Sequence, residues 1–250
     1  MTRRPPTAKG TVALFATCLV DLMRPQVGFA AASLIEQAGY EVVVPEGQTC
    51  CGQPNYNAGD RQNTITAAER FLDLFSGYEH IVLPSGSCAG MVIKHYPDLF
   101  EPGSDCHRQA LAVAAKTYEL TTFLVEVARM KKLKGGSAIS ATYHDSCAGL
   151  RELGIEEQPR RLLSKIKGMS LQEMDRSDTC CGFGGTFCIK YPAVSDRITE
   201  RKTEDIEQIG ADYVLAGDVG CLLNIEGKLH RDGSKVKARH VAEVLAGMAD

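Results

Sequence analysis

Short apolar runs alternate with longer amphipathic stretches along the chain. "TVALFATC" (11–18) and "SAISATYHDSC" (137–147) each read as a β-rich run that ends at a cysteine. "FAAASLIEQAGYEVVVP" (29–45) and "RRLLSKIKGMSLQEM" (160–174) each read as helix, glycine turn and strand, and each leads into a Cys–Cys–Gly. "TAAERFLDLFSGYEHIVLPSGSC" (66–88) and "RITERKTEDIEQIGADYVLAGDVGC" (197–221) share the order helix, glycine, strand, cysteine. In the first of these, Ala68, Leu72 and Phe75 fall at helical spacing on one face. "LTTFLVEVARM" (120–130) and "HVAEVLAGMA" (240–249) read as closing helices. This alternation predicts an α/β fold of parallel sheets covered by helices.

The same order occurs twice, and the cysteines keep the count. Cys147 follows Cys18 by 129 residues, Cys181 follows Cys51 by 130, and Cys221 follows Cys88 by 133. Offsets this constant imply an internal duplication. The expectation is two similar Rossmann-like halves with short parallel sheets flanked by helices: residues 1–130, a linker at 131–137, and residues 138–250.

At 250 residues, with 44% hydrophobic and 24% charged side chains, the chain can bury a sizeable core. A net charge of −3 lacks the basic footprint of a nucleic-acid-binding surface, and the run "KKLKGG" (131–136) reads as a solvated linker. "MTRRPPTAKG" has no apolar stretch behind its basic residues, and no membrane span is visible, so a cytoplasmic location is expected. Thiols stay reduced there, and ten cysteines then point to metal binding or redox chemistry rather than disulfides.

In parallel α/β sheets ligands gather at the carboxyl ends of the strands. Cys18, Cys50, Cys51 and Cys88 are therefore expected at one edge of the first half, and Cys147, Cys180, Cys181 and Cys221 at the matching edge of the second. Four sulfurs per half suit one [4Fe–4S] cluster or one zinc ion. Zinc sites usually grip with C-x2–4-C knuckles, which this sequence lacks, and two diverging adjacent sulfurs can reach two different irons. Gly182, Gly184 and Gly185 would let backbone N–H groups approach the sulfurs. "CAGMVIKH" after Cys88 and "CAGLREL" after Cys147 read as helix starts, whose free N–H groups favour an anionic cluster. Cys106, in the surface loop "EPGSDCHRQA", and Cys188 have no partner in the repeat and stay outside the ligand set. His144 reads as a strand-end hydrogen-bonding residue rather than a ligand. "CGFGG" lacks the Lys–Ser/Thr ending of a phosphate loop, and Phe187 stands where a dinucleotide fingerprint needs a glycine.

The stretches "FATCLVD", "TCCGQPNYNAG", "PSGSCAGMVIKHYP", "TCCGFGGTFCIKYPAVS", "GDVGCLLNIEGKL" and "VKARHVAEVL" span both halves. Together they resemble the cysteine-rich CCG-domain proteins, which include the cysteine-rich component of heterodisulfide reductase and the iron–sulfur component of glycolate oxidase. Within that group they are most similar to the lactate utilization protein A family. The resemblance implies a cytoplasmic iron–sulfur protein that works with other lactate utilization subunits to oxidise L-lactate to pyruvate, with clusters near the interface of two α/β domains. In the heterodisulfide reductase branch each motif ends in C-x-x-C; here Cys88 is followed by Ala89, Gly90 and Met91, and Cys221 by Leu222, Leu223 and Asn224. Each half is one sulfur short of that branch. The expectation is one or two electron-passing [4Fe–4S] clusters per chain, with zinc as a replacement. A heterodisulfide-reductase-like thiol–disulfide reductase subunit and a zinc-stabilised interaction module are the alternatives.

Overall fold

In the computed structural model, which describes residues 8–133 and 139–249, β1 (Thr11–Leu14), β2 (Glu41–Val43), β3 (His80–Leu83) and β4 (Thr117–Glu119) form one parallel sheet in the order β2-β1-β3-β4. A second parallel sheet, β6-β5-β7-β8, is built from β5 (Ser140–His144), β6 (Ser170–Leu171), β7 (Tyr213–Ala216) and β8 (Lys237–His240). The duplicated α/β architecture is the one the repeat predicts. Residues 134–138, which overlap the expected seam at 131–137, and residues 1–7 of the basic N-terminus lie outside the described residues.

Two features differ from the sequence reading. Each closing helix is preceded by a fourth strand, β4 or β8, whose sequences TYE and KARH hold no apolar run to announce them. Cys106 does not sit in a loop: it occupies the first turn of the helix Asp105–Ala114, whose N-cap Ser104 accepts the His107 N–H at 3.1 Å. No helix among the described residues is long and apolar enough to cross a membrane.

The two halves share one core. Val12, Leu14, Leu34, Ile35 and Phe123 of the first half pack in the same buried cluster as Leu162, Leu215, Val241 and Leu245 of the second. Above it, the helices that begin at the strand ends meet across the interface. The helix Gly86–Gly90 lies so close to Cys147–Leu153 that a Cβ on Gly86 would stand 2.9 Å from the Gly149 Cα. Val20 and Val27 pack against Val219, and Arg24 pairs with Glu226. This docking turns the carboxyl ends of both sheets toward a common space.

β4 and β8 end on equivalent, buried, titratable residues, Glu119 and His240, and each caps the helix that follows. Burial pushes the Glu119 carboxyl up to about 7, outweighing donors from Thr121 and Thr122. Burial pushes His240 down to about 4, and its Nδ1 accepts the Ala242 N–H, which a proton would break. The two act in opposite directions. Glu119 holds its proton more tightly folded than unfolded, so its contribution is full below pH 4.5 and lost as pH rises through 7. His240 contributes above pH 6.5, and that contribution is lost as pH falls through 4. Glu119→Gln keeps the cap and removes the alkaline loss. Urea unfolding of the metal-free protein should show the variant close to wild type at pH 5 and more stable at pH 9, by on the order of 3 kcal/mol. Parallel behaviour of the two proteins across that range would refute the assignment.

Candidate metal centre

Every strand end that was expected to carry a cysteine carries one into the space between the halves. β1 leads to Cys18 at the start of the helix Cys18–Met23, and β5 leads to Cys147 in the same way. β2 and β6 lead to the pairs Cys50–Cys51 and Cys180–Cys181, and β3 and β7 to Cys88 and Cys221, each in the first turn of a helix. All eight line a single cavity of about 630 Å³. Cys106 and Cys188 do not line it, and the Cys188 thiol points instead at the Gly185 carbonyl, 3.8 Å away.

Within each half the thiols form a chain. Cys18 hydrogen-bonds Cys50, Cys50 meets Cys51, and Cys51 reaches Cys88 at 3.3 Å. Cys147, Cys180, Cys181 and Cys221 repeat the order. The second member of each chain is the acidic one. Hydrogen bonds from Cys18 and Cys51 draw Cys50 down to about 3, and those from Cys147 and Cys181 draw Cys180 down to about 2. The donors Cys18, Cys51, Cys147 and Cys181 are held above the usual thiol range by those same bonds and by burial. Cys221 is drawn to about 7, chiefly by Cys181, with the nearby His144 ring adding to the effect. All ten cysteines are free, and a set of neighbouring thiols with a ready thiolate in each half is what a thiophilic metal requires.

Backbone geometry serves the same end. Gly52 and Gly182 each donate an N–H to the sulfur two residues back, Cys50 or Cys180, at 3.4 Å. Gly182 holds φ at +82°, and a Cβ there would stand 2.7 Å from Thr199 Oγ1 and 2.8 Å from the Ser195 carbonyl, so only glycine fits. Gly184 and Gly185, expected to face the sulfurs, use positive φ to turn the chain. Thr17 holds φ 58° and ψ 149°, a region otherwise left to glycine, directly before Cys18. Donor chemistry, thiolate character and backbone N–H groups aimed at sulfur all fit a cluster in each half.

Several residues act at the site in ways the sequence reading assigns to none of them. The Gln48 side chain accepts the Ala16 N–H and donates to the Leu14 carbonyl, both at 2.9 Å, and so ties the Cys18 loop to the Cys50 loop. Asp218 crosses the interface to accept Ser85 Oγ at 2.6 Å and Ser87 Oγ at 2.7 Å, joining the start of the Cys221 helix to that of the Cys88 helix. The carbonyl behind each pair is capped differently: Tyr96 Oη donates to Cys51, whereas Thr199 and Asn224 donate to Cys181. His144 is fully buried beside Cys181 and Cys221.

Comparison with known proteins agrees with the duplication. Residues 12–93 and again 141–226 match the CCG cysteine-rich domain. Lactate utilization protein A 2 of Bacillus cereus (strain AH820) is 43% identical over 235 residues, which covers 94% of this chain and 97% of that protein. Lactate utilization protein A of Geobacillus sp. (strain WCH70) is 44% identical over 234 residues, covering 94% of this chain and 98% of its own length. Of the solved structures, that of a hypothetical protein from Helicobacter pylori superposes with a TM-score of 0.64 at 15% identity, over 99% of this chain and 50% of that one, a likeness of fold alone.

Proposed function

The chain belongs to the CCG cysteine-rich domain family, and from that premise we propose that it is the iron–sulfur electron-transfer subunit of a cytoplasmic complex that oxidises L-lactate to pyruvate. Cys18, Cys50, Cys51 and Cys88 hold one [4Fe–4S] cluster, and Cys147, Cys180, Cys181 and Cys221 hold a second. The observation that carries this reading is the single cavity into which both thiol chains open. A cluster bound there supplies one-electron transfer. The cysteines anchor it, Gly52 and Gly182 direct N–H groups at ligand sulfur, and Asp218 with Ser85 and Ser87 fixes how the two sites face each other. The substrate and the further redox centres belong to the other lactate utilization subunits. Exposed apolar side chains on the helices that begin at Cys18 and Pro25 (Leu22, Met23, Phe29) and after the second cysteine pair (Ile189, Tyr191, Val194) supply surface for them.

Iron, acid-labile sulfide and zinc measured after anaerobic purification test the proposal. The expected result is a brown protein with about eight irons and eight sulfides per chain. A colourless protein with stoichiometric zinc would replace this reading with a zinc-stabilised module, and turnover of a heterodisulfide by the isolated chain would replace it with a thiol–disulfide reductase.

A further inference from the structure

We propose that His144 is a nitrogen ligand to the metal held by the second half's cysteines, a contact the first half lacks, so that the two sites are chemically unequal; the inference rests on the reading that the eight thiols hold metal.

His144 ends β5 and is wholly buried, and neither ring nitrogen has an oxygen or nitrogen partner; the group it meets is the Cys221 thiol. An imidazole left this way is expensive, because a buried polar group normally finds a partner. What the ring does face is sulfur. A ring nitrogen, the Cys181 Sγ and the Cys221 Sγ all lie within 4.8 Å of one another. Ligands around one tetrahedral metal, at about 2.3 Å for sulfur and about 2.0 Å for nitrogen, stand roughly 3.5–3.8 Å apart, so the three donors need to draw in by only about 1 Å. Imidazole is an established ligand to iron and to iron–sulfur centres.

The duplication supplies the contrast. At the offset of 129 residues that relates Cys18 to Cys147, the residue matching His144 is Phe15. Phe15 is also buried, but it packs edge-on against Phe71 and Phe75, at ring separations of 5.1 and 5.6 Å. The first site is therefore backed by hydrocarbon. Behind the second site lies a further polar group, the buried Lys202, whose Nζ donates to the Arg176 and Ser177 carbonyls at 2.6 and 3.2 Å. A four-iron cluster takes one protein ligand per iron, so His144 enters in exchange for one of the two thiolates beside it, Cys181 or Cys221. A neutral nitrogen in place of that anionic sulfur makes the cluster easier to reduce, and a nearby ammonium acts in the same direction. Electrons that enter at the first site then run downhill to the second.

The test compares wild type with His144→Phe, which installs the first half's own residue. In wild type, reductive titration followed by electron paramagnetic resonance should show two clusters of different potential. Pulsed measurements on protein labelled with 15N-histidine should show strong nitrogen coupling on the easier-reduced one. Among the described residues no histidine lines the cavity itself, and His144 stands behind it against Cys181 and Cys221, so the coupling has that ring as its source. The variant should lose the coupling and lower that one potential, with the other unmoved and iron content kept. Two unchanged potentials in the variant, or an absence of histidine coupling in wild type, would overturn the inference while leaving the cluster reading intact. The labelled wild-type measurement decides alone if the variant does not fold. A chain that binds no iron overturns the cluster reading instead. Co2+ titration of the anaerobic metal-free protein then reads the same residue: one of two thiolate sites should be weakened by His144→Phe, and two equal, unaffected sites would overturn the inference.

Discussion

Serine at Cys181 halves the iron bound per chain and leaves the first half's cluster in place. Cys181 is almost completely buried and is the middle of its thiol chain, bonded to Cys180 on one side and Cys221 on the other. A hydroxyl fills nearly the same space, so the fold survives, but it stays neutral where the thiolate binds iron. Cys51→Ser should do the same to the other site, since it takes the same place between Cys50 and Cys88. Cys106→Ser and Cys188→Ser are the controls. Neither sulfur lines the cavity, and both proteins should keep full iron. Iron analysis and electron paramagnetic resonance of the reduced variants separate these outcomes, with thermal unfolding of the metal-free forms to confirm that Cys181→Ser is folded. A Cys188→Ser protein that loses iron as fully as Cys181→Ser would mean that the ligand set has been drawn wrongly.

The eight cavity cysteines were readable from spacing because the chain repeats itself. One half acts as a control on the other, and chance does not hold three cysteine offsets within four residues of one another. Strands β1, β3, β5 and β7 were equally plain, each an apolar run that ends at a cysteine. β4 and β8 were not, because Thr117–Glu119 and Lys237–His240 hold no apolar run and owe their pairing to the neighbouring strand. Side chains that reach across the molecule were beyond any local signal. Asp218 bonds Ser85 and Ser87 from more than 130 residues away, and only the docking of the halves brings them together. His144 is instructive in another way. Its place at a strand end was visible, and so was Phe15 at the matching offset. What turns the difference into chemistry is the burial of the ring beside Cys181 and Cys221, which depends on packing that local sequence does not state.

Arg160→Met should cost the metal-free protein roughly 3–5 kcal/mol, the largest stability loss expected from any single change outside the apolar core. Asp145 stands between His144 and the turn that starts the Cys147 helix, with its carboxylate only 1% exposed. Arg160 meets it with a two-pronged bond, Nη1 to Oδ1 at 2.9 Å and Nη2 to Oδ2 at 2.8 Å, and lies over the Tyr143 ring with its guanidinium carbon 5.2 Å from the centroid. Removing the arginine leaves a buried charge with no counterion, and the folded state must then hold it unpaired or protonate it. The same guanidinium also binds Glu173 at 2.8 Å, but that carboxylate is 46% exposed, and water can replace its partner. Glu173→Gln should therefore cost no more than about 1 kcal/mol. Asp145→Asn in the Arg160→Met background should recover much of the loss, because the stranded charge goes with it. Urea unfolding of the four proteins reads all of this. If Arg160→Met proves as mild as Glu173→Gln, the Asp145 carboxylate is not held by this pair, and another group must position the loop that carries His144 into Cys147.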